Sequence, residues 1–288
     1  MWNNCGKRTD RAQYGAGLLE KLSGQLNADF GQGFSVASLR NIRQFYLTFR
    51  DRIHYQAGSD LPDIYSTFQG VIISLALDSL SASQSEKIFD WLMNFYDPYS
   101  GLFANNTEMT AMSVIILKVI DKLPELNHPQ TASILAKNYS SELTTPQTYI
   151  LVALSYLSNV DLIDTRSSIS KVFSERSSLG GFGSSSNSTY EAVSQLQALK
   201  SLSKLSPIKR LTNFLIRTQS PSGGFHYIPG QPPTLQGTFE HVQVIASLNI
   251  MHKFDASQIV SYCLNEWKKK EQLDISFLYY IVLTLKAI

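Results

Sequence analysis

The sequence predicts an all-α protein assembled from repeated helical hairpins, and three observations carry that prediction. A hydroxyl residue followed by an aromatic residue or alanine recurs at Thr67-Phe68, Thr110-Ala111, Thr148-Tyr149, Thr189-Tyr190, Thr238-Phe239 and Ser276-Phe277, at intervals of 43, 38, 41, 49 and 38 residues. Amphipathic stretches of helical period fill those intervals. Glycine-aromatic turns, Gly101-Leu102-Phe103, Gly180-Gly181-Phe182 and Gly223-Gly224-Phe225, precede three of the six sites. A period near forty residues is that of a two-helix unit.

The first sixty residues stand apart from this repeat. Leu18, Leu19, Leu22 and Leu26 form an apolar stripe that ends near Phe30, Gly31 and Gly33 break it, and Ser35 can cap a second helix carrying Leu39, Ile42, Phe45, Tyr46 and Phe49 inward. This is a small helix-turn-helix-like module over 1–60. It holds eight Lys/Arg against five Asp/Glu, whereas the whole chain carries a net charge of only +2. Arg40, Asn41 and Arg43 project from its second helix as a candidate nucleic-acid contact. So few positive charges make such a contact weak and salt-sensitive. A boundary falls near Gly58–Pro62.

From residue 63 each unit pairs a first helix with a second. The unit best seen in isolation is 180–205, where Tyr190, Val193, Leu196, Gln197, Ala198 and Leu199 recur at helical spacing, with Ser188 as N-cap and Glu191 completing a capping box. Phe182 can tuck back between neighbouring helices. The second helices are read at 85–96, 129–139, 165–175, 207–219 and 256–269. Six first helices, starting at Thr67, Thr110, Thr148, Thr189, Thr238 and Ser276, and five second helices make about five and a half pairs. Such units stack as an open solenoid or close into a ring.

A resemblance chooses between these. Thr218-Gln219-Ser220-Pro221-Ser222-Gly223-Gly224-Phe225, with Pro229-Gly230 and then Thr238-Phe239 on a helix, resembles the repeat of protein prenyltransferase β subunits and squalene cyclases, and Gly180-Gly181-Phe182-Gly183 with Ser188-Thr189-Tyr190 repeats it. The resemblance implies an α/α toroid over 63–288, its first helices lining a central cavity and its second helices wrapping them. Because the chain ends on an inner helix, closure of the ring stays open at this point. Likewise Tyr14-Gly15, Phe30-Gly31-Gln32-Gly33-Phe34-Ser35 and Leu39-Arg40-Asn41-Ile42-Arg43 resemble the N-terminal helical domain of YhcG-like PDDEXK nucleases, which implies contact with DNA or a partner. No nuclease domain follows.

The chemistry implied by the toroid families does not find its residues. Prenyltransferases hold zinc with Asp, Cys and His; here Gly237 stands where the resemblance places the histidine, and Ser188-Thr189-Tyr190 where it places the Asp and Cys. The Asp-rich acid motif of the cyclases is absent. Glu240 and His241 are adjacent on one helix and so diverge by about a hundred degrees, while His226 sits on the rim. These three are the remaining metal candidates, and no metal or other cofactor is expected. Aromatic residues near the starts of the inner helices, Tyr65, Phe68, Tyr149, Tyr190, Phe239, Tyr279 and Tyr280, are the candidate lining of one end of the cavity. The expectation is a non-catalytic toroid that binds a protein segment or an isoprenoid- or lipid-like ligand; the alternatives are an active enzyme of the prenyltransferase or cyclase kind and a DNA-associated protein.

Composition agrees with a globular chain: 43% hydrophobic and 17% charged residues fill a core and leave a sparsely charged surface. Cys5 and Cys263 are too few for a disulfide framework. With no apolar stretch of membrane-spanning length and no signal-like N-terminus, a cytoplasmic protein is expected.

Overall fold

A computed structural model describes residues 63–126, 129–269 and 275–288. The N-terminal module, with Arg40, Asn41 and Arg43, lies outside the described residues. Among the described residues eleven α-helices dominate: α1 Ile64–Ala76, α2 Ala82–Met93, α3 Thr107–Val119, α4 Pro129–Asn138, α5 Thr145–Tyr156, α6 Thr165–Ser174, α7 Ser186–Ala198, α8 Lys209–Thr218, α9 Leu235–Ser247, α10 Ala256–Lys269 and α11 Ile275–Ala287. Two short antiparallel ribbons accompany them, β1 Tyr96–Asp97 with β2 Leu102–Phe103, and β3 Phe225–His226 with β4 Pro233–Thr234.

The odd-numbered helices form the inner ring. Each packs on the next, α1 on α3, α3 on α5, α5 on α7, α7 on α9 and α9 on α11, and α11 packs back on α1. The ring therefore closes as an α/α toroid. Ser276 Oγ donates to Gln69 Oε1 across the closing seam (3.2 Å), and Ile73, Leu278 and Val282 are buried together there. Five outer helices wrap the ring among the described residues.

The first five inner helices, α1, α3, α5, α7 and α9, begin one turn earlier than the hydroxyl pattern suggests. Asp63, Asn106, Ser185 and Thr234 are caps whose side chains accept a backbone N–H of the first turn, as short oxygen-bearing side chains do at helix starts. Ser188 is thus not the N-cap of α7; its own N–H donates to Ser185 Oγ (3.3 Å). The second helix read at 85–96 likewise starts at Ala82, because Ser81 and Gln84 make a reciprocal capping box. The one read at 207–219 spans Lys209–Thr218.

What the repeated threonine does is visible in the turns. Thr110 Oγ1 accepts from the N–H of Phe103 (2.8 Å), Thr189 Oγ1 from Phe182 (3.0 Å) and Thr238 Oγ1 from Phe225 (2.9 Å). Each threonine thereby latches the buried phenylalanine of the preceding turn. Those three rings are essentially fully buried, each stabilising the fold by roughly 2–3 kcal/mol relative to an exposed ring. The glycine two residues ahead of each ring has positive φ, +74° at Gly101, +104° at Gly180 and +93° at Gly223, and abuts the backbone that opens α4, α8 and α10 respectively. A side chain there would meet both an unfavourable backbone angle and a helix.

Candidate functional site

The N-terminal ends of the inner helices converge on one mouth of the ring, and the aromatic residues singled out above gather there. Their side chains form a continuous chain of ring contacts: Tyr149 on Phe68 (5.4 Å between centroids), Phe68 on Tyr279 (6.5 Å), Tyr279 on Phe239 (5.4 Å), and Phe239 on both Tyr190 (5.7 Å) and Tyr280 (5.3 Å). Tyr65 joins through its hydroxyl, which accepts from Gln69 Nε2 (3.3 Å). Phe68 and Phe239 are buried, whereas Tyr149, Tyr190, Tyr279 and Tyr280 each keep part of their surface open. Burial nevertheless drives the hydroxyl pKa of Tyr149, Tyr190 and Tyr279 well above its ordinary value. Groups that are desolvated yet still partly reachable are what a ligand site requires.

Behind this wall runs a polar seam that the sequence reading missed. The sixth residue of α1, α7 and α9 is Gln69, Glu191 and Glu240, and each takes a hydroxyl from the first turn of the preceding inner helix, Ser276, Thr145 (2.7 Å) and Ser186 respectively. Gln236 Nε2 donates to the other oxygen of Glu240 (2.9 Å). Glu191 Oε2 is buried with no hydrogen-bond partner. Burial raises the pKa of both carboxyls, that of Glu240 to about 7, because the charged form is poorly solvated there. The recurrence of an amide or acid at the sixth helical position was the available signal.

His241 faces the opposite way, into the core. Its ring stacks on Phe225 (4.9 Å) and Phe214 (6.1 Å). Nδ1–H donates to the Gly237 carbonyl (2.8 Å), which leaves Nε2 to accept from the Thr218 hydroxyl (2.9 Å). Burial pushes its pKa down to about 4, so it is a neutral core histidine. His226 is half-buried on the β3–β4 hairpin, where its Nδ1 meets the Gln231 carbonyl. The structure does not bring the three metal candidates together: Glu240 faces α7, His241 faces α8 and His226 is tied to its own hairpin.

The zinc that the resemblance implies does not fit these residues. Among the described residues no three of His, Cys, Asp and Glu converge as ligands. A Cβ at Gly237 would stand 2.8 Å from Tyr227 N and 2.9 Å from Phe225 O, backbone atoms of the hairpin that cannot swing aside. A histidine at that position is excluded by the packing of this hairpin, whose Tyr227 carbonyl also accepts from the N–H of Ser186 (2.8 Å). Cys263 is buried and its thiol is pushed up to about 12 by burial, so it offers no ready thiolate.

A helical ring with an aromatic mouth is the class of protein that these elements define. Residues 187–278 match the prenyltransferase alpha-alpha toroid domain, from α7 into α11. Residues 4–62 match the DUF1016 N-terminal domain. No curated protein matches the chain. Among the described residues no helix is long and apolar enough to cross a membrane.

Proposed function

We propose that the toroid is a non-catalytic binding module whose aromatic mouth receives a protein segment or a lipid-like ligand. The observation that carries this reading is the packing at Gly237: the hairpin occupies the space that a zinc-binding side chain would need, while the aromatic wall beside it is kept and remains partly accessible. Segments 1–60 and 63–288 act as separate units in this reading, the first as an accessory contact. Native mass spectrometry of the protein as purified from cells, together with a prenyl-transfer assay, tests it. Metal-free protein that retains a lipid or polypeptide and transfers no prenyl group is the expected result. Stoichiometric zinc with transfer activity would sink the reading.

A second reading concerns residues 4–62 alone, the segment that matches the DUF1016 N-terminal domain, and rests on the basic residues of its second predicted helix. Arg40, Asn41 and Arg43 then make a weak, sequence-independent contact with DNA. Retention on duplex DNA at low salt, lost on raising the salt and on replacing both arginines, is the expected behaviour; absence of retention at low salt removes it.

A further inference from the structure

We infer that the second predicted helix of the N-terminal segment, 36–52, is the sixth outer helix of the ring, laid over the junction of α11 and α1. This goes beyond the binding-module reading and does not depend on it: the segment treated there as an accessory unit shares one helix with the ring.

The ring leaves one place for such a helix. Each described outer helix lies in the chain between two inner helices, as α4 does in packing on both α3 and α5. Each also buries a pair of residues three or four apart: Ile88 and Leu92, Ala132 and Leu135, Ser168 and Val172, Leu211 and Leu215, Ile259 and Cys263. Such pairs form the stripe that a helix turns toward a core. Because α11 packs on α1 there is a sixth junction, and no described outer helix lies in the chain between those two. Residues 1–62 join the ring at Asp63, the cap of α1 and so one side of this junction.

The start of α1 holds half of a latch. Threonine is the fourth residue of α1, α3, α7 and α9, and in the last three its Oγ1 accepts from the N–H of a turn residue ahead of the helix. Thr67 is fully buried, yet its Oγ1 has no hydrogen-bond partner among the described residues, which is costly for a buried hydroxyl. The sequence ahead of it has the spacing of the other turns. Gly58 stands nine residues before Thr67, as Gly101 does before Thr110 and Gly180 before Thr189, and the N–H of Asp60 takes the place of Phe103 and Phe182. Those turns each follow an outer helix. Counting back, Phe45 and Phe49 lie thirteen and nine residues before Gly58, the places that Ile88 and Leu92 hold before Gly101.

Gly70 supplies the room. Phe214 lies nine residues before Gly223 and stacks on His241, the seventh residue of α9. Phe49 holds the same place before Gly58, and the seventh residue of α1 is the buried Gly70. Glycine inside a helix is destabilising relative to alanine, and an aromatic ring seated on it accounts for its presence.

Hydrogen exchange of the full-length protein through a urea series, with its mass in solution measured alongside, tests the inference. Amides of 36–52 are expected to lose protection at the same urea concentration as those of α1 and α11, in a monomer. Absent protection, or protection lost at a different concentration, marks an independent module and overturns the inference. Protection that vanishes on dilution as a dimer dissociates assigns the cover to a second copy and also overturns it. Coupling across the contact is read separately: Gly70→Ala should lower the urea midpoint, and a Phe49→Ala background should shrink that loss at least twofold. Phe49→Leu repeats the comparison if alanine leaves little folded protein. The same loss in both backgrounds places Phe49 elsewhere and sinks the inference. Whether the mouth holds a ligand alters none of these readouts.

Discussion

Glu240 and His241 are neighbours in sequence with opposite responses to pH. The Glu240 carboxyl has its pKa raised from 4.5 to about 7 by burial, so the folded protein binds the extra proton, and stability falls as pH rises from about 4.5 to 7. The His241 pKa is lowered from 6.5 to about 4 by burial, so the unfolded chain binds the extra proton, and stability falls as pH drops from about 6.5 to 4. Each effect is about 3 kcal/mol when fully expressed, and across the shared window they oppose one another. Glu240→Gln should therefore unmask a rise in stability with pH between 4.5 and 6.5, and His241→Phe a decline. Urea unfolding at a series of pH values reads both; identical slopes for the two variants would refute the assignment. The sequence disclosed that these side chains diverge, but not that one enters an interhelical seam and the other the core, because burial depends on which neighbour each helix face meets.

At the scale of elements the repeated turn is the unit of construction. Thr189→Val keeps the volume but leaves the buried Phe182 N–H without its acceptor, and should cost about 1–3 kcal/mol of unfolding free energy. Two glycines separate backbone strain from contact. At Gly180 (φ +104°) an added Cβ would stand 2.4 Å from the Arg210 carbonyl oxygen, whereas at Gly230 (φ +86°) it would meet nothing within 4 Å. Gly180→Ala should therefore cost at least about 2 kcal/mol and Gly230→Ala about 1 kcal/mol. Equal losses on chemical denaturation would mean that the close approach at Gly180 is relieved by local movement. The period, the turn glycines and the helix count were legible in the sequence, since each is a local pattern. The helix starts were not: in Gly183-Ser184-Ser185-Ser186-Asn187-Ser188-Thr189 nearly every residue can cap, and the choice is fixed by the Phe182 N–H that only Thr189 reaches.

Ring closure belongs to the whole molecule, and no local pattern reports it. The bond between Ser276 and Gln69 joins residues 207 apart in sequence, and both seam helices are ordinary amphipathic segments when read alone. A chain ending at Lys269 lacks α11 and should unfold over a broad, less cooperative transition with dye-accessible apolar surface, because Ile73 loses its partners Leu278 and Val282. A single sharp transition in that variant would mean that the remaining helices hold the arc without closure.

The glycine turns also set an order of events for a chain emerging from the ribosome. Gly101 is held from 30 residues downstream, where the Thr131 hydroxyl donates to its carbonyl, and Gly180 and Gly223 likewise lean on helices not yet made when they appear. Each turn is expected to stay protease-sensitive in stalled nascent chains until its outer helix has left the tunnel, and early protection would contradict this. Among the described helices α1 waits longest, exposing its closing face until the 13-residue α11 has left the tunnel.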